Sequence, residues 1–257
     1  MAAPSTVSEA EYQRLREQYQ ELAQLAGALA HEIKNPLSTI RLNMDLLAED
    51  FSTENGNGKA RRALRTIETV RNQCARLENL LNDFLRFSRL RNLNLRPGNL
   101  NEQVECVLDL YEAHARDAGV EIVRYLDPDL PSILLEGETL QAALVNLVKN
   151  SLEAMPDGGV LTVRTRTTRY GVAIDLIDTG CGMDDTTARR MFEAFYSTKP
   201  GGSGLGLPTA RRVIEAHQGR IDVQSTVGRG TKFTLEFPVP ARLEAGSSGS
   251  TSTQENQ

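Results

Sequence analysis

His31-Glu32-Ile33-Lys34-Asn35-Pro36-Leu37 gathers an imidazole, a carboxylate and a carboxamide on one short stretch. Around it the apolar residues Leu22, Ala26, Leu29, Ile33, Leu37, Ile40, Met44 and Leu47 follow steps of 4-3-4-4-3-4-3, close to the seam of a helical bundle. At about 100° per residue, His31 lies nearly opposite Ile33 on such a helix. Asn35, four residues on, shares its outward face, and Glu32 flanks it. A histidine turned to water beside these two groups is placed for chemistry rather than for packing.

Four further patches hold polar groups where a plain core would not want them. In LQAALVNLVKNSLEAM, Asn146, Asn150 and Glu153 fall at i, i+4 and i+7 on one helical face. Asparagine is a mediocre helix former, and its carboxamide oxygen is a hard ligand suited to Mg²⁺. A solvated polar face explains the same spacing equally well. Asp178-Thr179-Gly180-Cys181-Gly182-Met183 follows an apolar strand. A carboxylate there can accept a hydrogen bond from an exocyclic amine, and the glycines let a flat base approach the backbone. An ordinary Asp-Gly turn is the plainer reading of that patch alone. Phe192-Glu193-Ala194-Phe195-Tyr196-Ser197-Thr198-Lys199 is either an aromatic-anchored segment ending on a cation or a small satellite core. Gly202-Ser203-Gly204-Leu205-Gly206-Leu207 opens a helix, where exposed amides and the helix dipole favour anionic phosphates. No G-x-x-x-x-G-K-[ST] occurs, so it is not a Walker A loop, and it does not directly follow a strand as a dinucleotide fingerprint would.

The elements that must carry these groups fall into two blocks. Residues 8–50 read as one long helix with a local kink at Pro36, and Ser52–Gly58 as a loop. A second helix runs from Lys59 to about Arg91, with Ala60, Leu64, Ile67, Val70, Cys74, Leu77, Leu81 and Phe84 on one side. Such an all-α hairpin leaves an apolar stripe uncovered, so a dimer forming a four-helix bundle is its natural completion. Arg96-Pro97-Gly98 marks a boundary. Beyond it, helices at Leu100–Asp117, Glu138–Met155 and Leu207–His217 mix with strands at Val120–Leu126, Ile133–Leu135, Val160–Thr168, Val172–Ile177, Arg220–Ser225 and Thr231–Val239. That pattern is an α+β sandwich. The expected organisation is a helical lead at 1–18, a hairpin at 19–93, an α+β domain at 99–241 and a disordered, low-complexity tail at 242–257.

Composition bounds the partners. The 257 residues carry a net charge of −5, with 40% hydrophobic and 25% charged residues, which offers no basic field for nucleic acid. No apolar run approaches the roughly 20 residues that span a bilayer, and the N-terminus lacks the basic and apolar regions of a signal peptide. Cys74, Cys106 and Cys181 are odd in number and lack zinc spacing, which fits reduced thiols in a cytoplasmic protein.

Taken in order, HEIKNPL, N-x-x-x-N, D-x-G-x-G, F-x-x-F and G-x-G-x-G-L resemble the H, N, G1, F and G2 boxes of the sensor histidine kinases of two-component signalling, over about residues 10–240. The short glycine lid and FYSTK resemble the nitrogen-regulation subgroup. The resemblance implies a dimeric HisKA-type phosphoacceptor hairpin followed by a Bergerat-type (GHKL) ATP-binding domain. It implies autophosphorylation of His31 from ATP and Mg²⁺, then transfer to an aspartate of a separate response-regulator receiver domain. By the same resemblance Glu32 orients or deprotonates the imidazole, and Asn35 positions water or the transferring phosphoryl group. Asn150 matches the Mg²⁺-binding asparagine, and Asn146 lines the nucleotide pocket. Asp178 matches the carboxylate that reads the adenine amino group, with Gly180 and Gly182 shaping that wall. Lys199 matches a phosphate contact, and Gly202, Gly204 and Gly206 match the glycines of the lid and phosphate side. Ala194 departs from the proline many members have in the F box, which bears on the rigidity of that segment. Because phosphoacceptor and ATP site lie on different domains, the Arg91–Gly98 connection is expected to permit large motion.

Other readings compete. H-E-x-x also begins a zinc-protease motif, but the fifth position is Asn35, and His114 and His217 are the only other histidines. A chaperone or mismatch-repair ATPase would lack the hairpin and its H box. A phosphatase-dominant enzyme, or a non-catalytic dimeric scaffold for a response regulator, uses the same parts, and Glu32 and Asn35 suit both directions of transfer. No sensor domain fits in front of His31. The lead YQRLREQYQELAQLAGAL reads as a coiled-coil input for an upstream sensory partner, or simply as the start of the first helix.

Overall fold

A computed structural model describes residues 29–30, 32–47, 59–88, 93–199 and 202–240. The expected helical lead, the Ser52–Gly58 loop, the start of the connection at Arg91, the tail and His31 itself lie outside the described residues. The chain divides into two units, Met1–Leu85 with Lys199–Ser203, and Arg86–Thr198 with Gly204–Gln257.

In the first unit, residues 32–47 form helix α1 and Lys59–Ser88 form α2. Helical backbone continues through Pro36, whose side chain is buried. Just after it, Ser38 Oγ donates to the Lys34 carbonyl at 2.8 Å and Thr39 Oγ1 to the Asn35 carbonyl at 3.2 Å. Hydroxyls bonded back in this way bend helices, so the local distortion expected of proline has partners close at hand. Leu37, Leu42, Met44 and Leu46 on α1, and Leu64, Ile67, Leu81 and Leu85 on α2, remain exposed within the single chain.

The second unit is built on a five-stranded sheet of order β2-β4-β5-β7-β6, in which β2 (Val120–Tyr125) runs parallel to β4 (Gly159–Thr168). The other pairings, among β4, β5 (Gly171–Asp178), β7 (Gly230–Pro238) and β6 (Arg220–Thr226), are antiparallel. Helices α3 (Leu100–Asp117), α4 (Gly137–Glu153) and α6 (Gly206–Ala216) share one core with the sheet. Each presents a helical stripe, for example Leu140, Ala143, Leu144, Leu147 and Val148 on α4, to Leu161, Val163, Ile174, Leu176, Phe233 and Leu235 of the strands. Asn99 starts α3 by accepting the Asn101 amide on its Oδ1 at 2.9 Å, and Gly119 ends that turn at φ +70°.

Arg96-Pro97-Gly98, the stretch whose composition marks a boundary, has regular structure. It is a strand, β1, paired antiparallel with β3 (Ile133–Leu135). Proline is tolerated on so short a ribbon, and an added Cβ at Gly98 would lie 2.9 Å from Leu135 Cδ1. Small size at Gly98 therefore serves close packing.

On the outer face of the sheet, Asp175 is fully buried among cations. Its Oδ2 accepts Arg164 Nη2 at 2.6 Å and Arg166 Nε at 3.1 Å, while Oδ1 accepts Thr234 Oγ1 at 2.8 Å and faces Lys232 Nζ at 3.4 Å. Burial opposes the charge, but these donors outweigh it and hold the carboxyl well below the ordinary aspartate range. A depressed folded pKa stabilises the fold above the ordinary value of 3.8 and loses that effect as pH falls towards the folded value. Asp175→Asn is expected to cost about 1–3 kcal/mol in urea unfolding near neutral pH, with the gap from wild type narrowing as the medium is acidified. Ser151 Oγ is buried with no hydrogen-bond partner among the described residues. Ser151→Ala is expected to raise stability by up to about 1 kcal/mol in the same assay.

Candidate nucleotide site

The end of β5 forms a corner around Asp178. This side chain is 3% exposed, and its Oδ1 accepts the backbone amides of Gly180 and Thr231, each at 3.0 Å. A buried carboxylate held by two amides is fixed in place as an acceptor. Backbone crowds the corner on all sides. An added Cβ at Gly180 would lie 2.6 Å from the Ala154 carbonyl oxygen, one at Gly182 2.1 Å from that of Thr226, and one at Gly230 1.9 Å from that of Asp178. Gly182 and Gly230 also have φ of +65° and +94°, a region that favours glycine. The Cys181 amide donates to the Ala154 carbonyl at 3.0 Å, which ties this wall to the end of α4. Thr231 Oγ1 and Ser225 Oγ lie 2.9 Å apart, and Ser225 Oγ accepts the Met183 amide at 2.9 Å.

Asn146 and Asn150 are half-buried on α4. Gly206, the first residue of α6, packs beside Asn146, so that an added Cβ there would sit 3.4 Å from Asn146 Oδ1. Leu205 occupies the N-cap of α6 and supplies no capping side chain, which leaves the first-turn amides and the dipole as the positive end of the element. Pro208 fits this first turn, where its missing N–H costs nothing.

The F segment is anchored beside the glycine lid. The Phe195 amide donates to the Gly204 carbonyl at 3.0 Å, and an added Cβ on Gly204 would lie 2.4 Å from the Phe195 carbonyl carbon. Phe195 itself has φ +65°, a strained value for an aromatic residue. Upstream, helix α5 (Asp185–Arg190) is capped by Asp184, whose carboxyl the Thr187 backbone amide holds below its ordinary range. Arg190 then stacks on Tyr196 at 4.2 Å and pairs with Glu193 at 2.9 Å. These contacts brace the segment on either side of Ala194.

Asn146 with Gly206, and Asp178 with Gly180 and Gly182, are thus brought together on the second unit. Lys199 and Gly202 group with the helical unit, where the Gly202 amide donates to the Lys199 carbonyl at 3.2 Å. On the hairpin, Glu32 lies 3.9 Å from Arg76 of α2, and Asn35 is exposed. Thr231, which the sequence places at the start of a strand, and Gly230 before it are members of the Asp178 corner that sequence reasoning did not single out. The signal available was Gly228-Arg229-Gly230-Thr231, a second glycine cluster entering a strand.

Comparison with known proteins follows the same division. Residues 21–93 match the His Kinase A (phospho-acceptor) domain, and residues 136–241 match the histidine kinase-, DNA gyrase B- and HSP90-like ATPase. Sporulation kinase E of Bacillus subtilis is 32% identical over 87% of this chain and 29% of its own length. The signal transduction histidine-protein kinase AtoS of Escherichia coli is 33% identical over 85% of this chain and 35% of its own length. The chain therefore spans about a third of each of these relatives. Full-length ShkA, solved in complex with AMPPNP, is 30% identical with a TM-score of 0.59, covering 84% of this chain and 45% of that one.

Two glycines with left-handed φ separate crowding from backbone strain. Gly228 has φ +73° with nothing within 4 Å of an added Cβ, so Gly228→Ala is expected to cost only about 1–2 kcal/mol of conformational strain. Gly204→Ala must in addition displace Phe195. Amide exchange at Phe195 is expected to accelerate in Gly204→Ala and to stay at the wild-type rate in Gly228→Ala.

Proposed function

The chain belongs to the sensor histidine kinases, and from that premise we propose that it phosphorylates His31 from Mg·ATP and passes the phosphoryl group to an aspartate of a response-regulator receiver domain. The observation that carries the reading is the Asp178 corner. It places a buried, amide-held carboxylate acceptor at a strand end, in a turn of glycines that carry no side chains. Asp178 then accepts the exocyclic amine of adenine, and Gly180 and Gly182 form the wall behind the ring. Phosphates lie towards the first turn of α6, where Gly204 and Gly206 keep side chains out of the way and the dipole favours negative charge. By the family resemblance, Lys199 is a candidate phosphate contact and Gly202 a lid glycine.

The donor chemistry of α4 fits Mg²⁺. Carboxamide oxygens are hard ligands, Asn146 and Asn150 lie half-buried one turn apart on α4, and Mg²⁺ takes few protein ligands beside phosphates and water. Asn150 would hold the ion, which when bound neutralises phosphate charge. Asn146 would line the pocket beside it.

In the reaction a nitrogen of neutral His31 attacks the γ-phosphorus in line. The N–P bond forms as the bond to the bridging oxygen breaks, and ADP leaves. Glu32 takes or orients the proton on the other ring nitrogen, and its ion pair with Arg76 tethers the carboxylate to α2. Asn35 positions the phosphoryl group or a water for transfer or hydrolysis. The exposed Leu37 and Met44 of α1 and Leu64, Ile67 and Leu81 of α2, which lie on the seams, are covered by a second copy in a four-helix bundle. Among the described residues no helix is long and apolar enough to cross a membrane, and we place the reaction in the cytoplasm.

Incubation of the purified chain with γ-labelled ATP and Mg²⁺ tests this. Acid-labile, alkali-stable label is expected on wild type and absent from His31→Gln and from Asn150→Ala. Label that survives in His31→Gln would move the acceptor elsewhere. Absence of label with intact nucleotide binding would favour a phosphatase or scaffold.

A further inference from the structure

A carboxylate at a helix N-cap ordinarily accepts the first-turn amides of its own helix. Glu136 holds the N-cap of α4 with φ −111° and ψ 109°, yet its side chain makes no capping bond. Its Oε1 instead accepts the backbone amide of Asn94 at 3.1 Å, and its Oε2 accepts the Thr139 hydroxyl. The Thr139 hydroxyl and the Asn94 amide hold this carboxyl below its ordinary range. Asn94 lies on the stretch between α2 and β1, so one oxygen of the carboxylate fastens the segment leading into β1 while the other bonds Thr139 of α4.

The backbone of Glu136 makes a second tie. Its N–H donates to His217 Nε2 at 3.0 Å. His217 is 2% exposed, stands at the C-cap of α6, and has Nδ1 2.7 Å from the Val213 carbonyl. A carbonyl only accepts and an amide only donates, so Nδ1 carries the proton and Nε2 is bare. The imidazole is neutral and locked in one tautomer, with the Phe237 ring edge-on at 6.5 Å. The reaction above uses neither side chain.

These ties meet at the start of α4 and the end of α6. Asn146 is ten residues along α4 from Glu136, and Gly206 is eleven residues back along α6 from His217. Both paths are about 15 Å at 1.5 Å per residue. The helix pair is therefore tied at one end by the Glu136–His217 hydrogen bond, and at the other Asn146 and Gly206 face each other, so the spacing set at the tie bears on both.

We propose that Glu136 and His217 are positioning residues, a buckle through which docking of the Asn94 stretch sets the α4–α6 spacing and hence nucleotide affinity. The inference rests on the nucleotide reading of the site. Linkage requires the converse, that bound nucleotide tightens the Asn94 contact.

Hydrogen exchange and titration with a fluorescent ATP analogue, both on the full chain, test the buckle. Asn94→Pro removes one exposed N–H and touches neither helix. It is expected to accelerate exchange of the His217 and Gly219 amides without nucleotide, and to weaken analogue binding by about 5-fold or more. Glu136→Ala should match it, and Glu136→Gln, which keeps an acceptor for Asn94, should restore both values. In wild type the analogue should slow exchange at Asn94. Wild-type exchange and affinity in Asn94→Pro would overturn the proposal, as would a Glu136→Gln as damaged as Glu136→Ala. A wild type that binds no analogue, with α6 exchange still faster in Asn94→Pro, would sink the nucleotide reading alone and leave the mechanical tie standing.

Discussion

One carboxylate oxygen of Asp178 accepts two backbone amides, and the wall of the site takes its shape from that arrangement. The two amides belong to segments far apart in sequence, the turn after β5 and the start of β7. Holding both on one atom requires the chains to approach more closely than any Cβ allows, which is why Gly180, Gly182 and Gly230 surround it. Leaving a buried carboxylate without these donors would cost several kcal/mol. Backbone geometry here is set by the acceptor, and the acceptor is set by the strand end that buries it.

Asp175, three residues earlier and on the opposite face of the same strand, shows the contrasting use of a carboxylate. It is surrounded by long cationic side chains whose outer ends reach water, and its work is to hold β4, β5 and β7 together. Asp178 is met by backbone amides and glycine rather than by long side chains. The difference between the two carboxylates lies in what surrounds them, backbone amides in one case and cationic side chains in the other.

The helices and strands of the second unit were legible because their periodicities are strong. Leu100–Asp117 carries an uninterrupted helical stripe closed by Ala118-Gly119, and Val160–Thr168 alternates cleanly. Neighbour relations were less legible. Nothing local to β7 says that it lies between β5 and β6 rather than at an edge, because pairing is decided by contacts distant in sequence. Arg96-Pro97-Gly98 looked like a linker since proline and glycine punctuate loops, and its strand character comes entirely from β3 across from it. Asn146, Asp178, Gly204 and Gly206 stood out as polar or flexible residues out of place, whereas Thr231 did not, because its contribution is a backbone amide. His217 was passed over for a related reason. A buried histidine reads as packing until both ring nitrogens are seen to have partners.

Phe195 connects the strained part of the fold to the part that must move. A left-handed aromatic residue costs about 1–3 kcal/mol, and the Gly204 carbonyl that binds its amide belongs to the lid. A single neutral hydrogen bond offsets only about 0.5–1.5 kcal/mol of that. That bond therefore offsets part of the strain at Phe195, and the contacts of Tyr196 with Arg190 and Thr187 support the same segment. Under the proposed nucleotide reading, the fixed Asp178 corner would face the base and the Phe195–Gly204 contact would lie on the phosphate side.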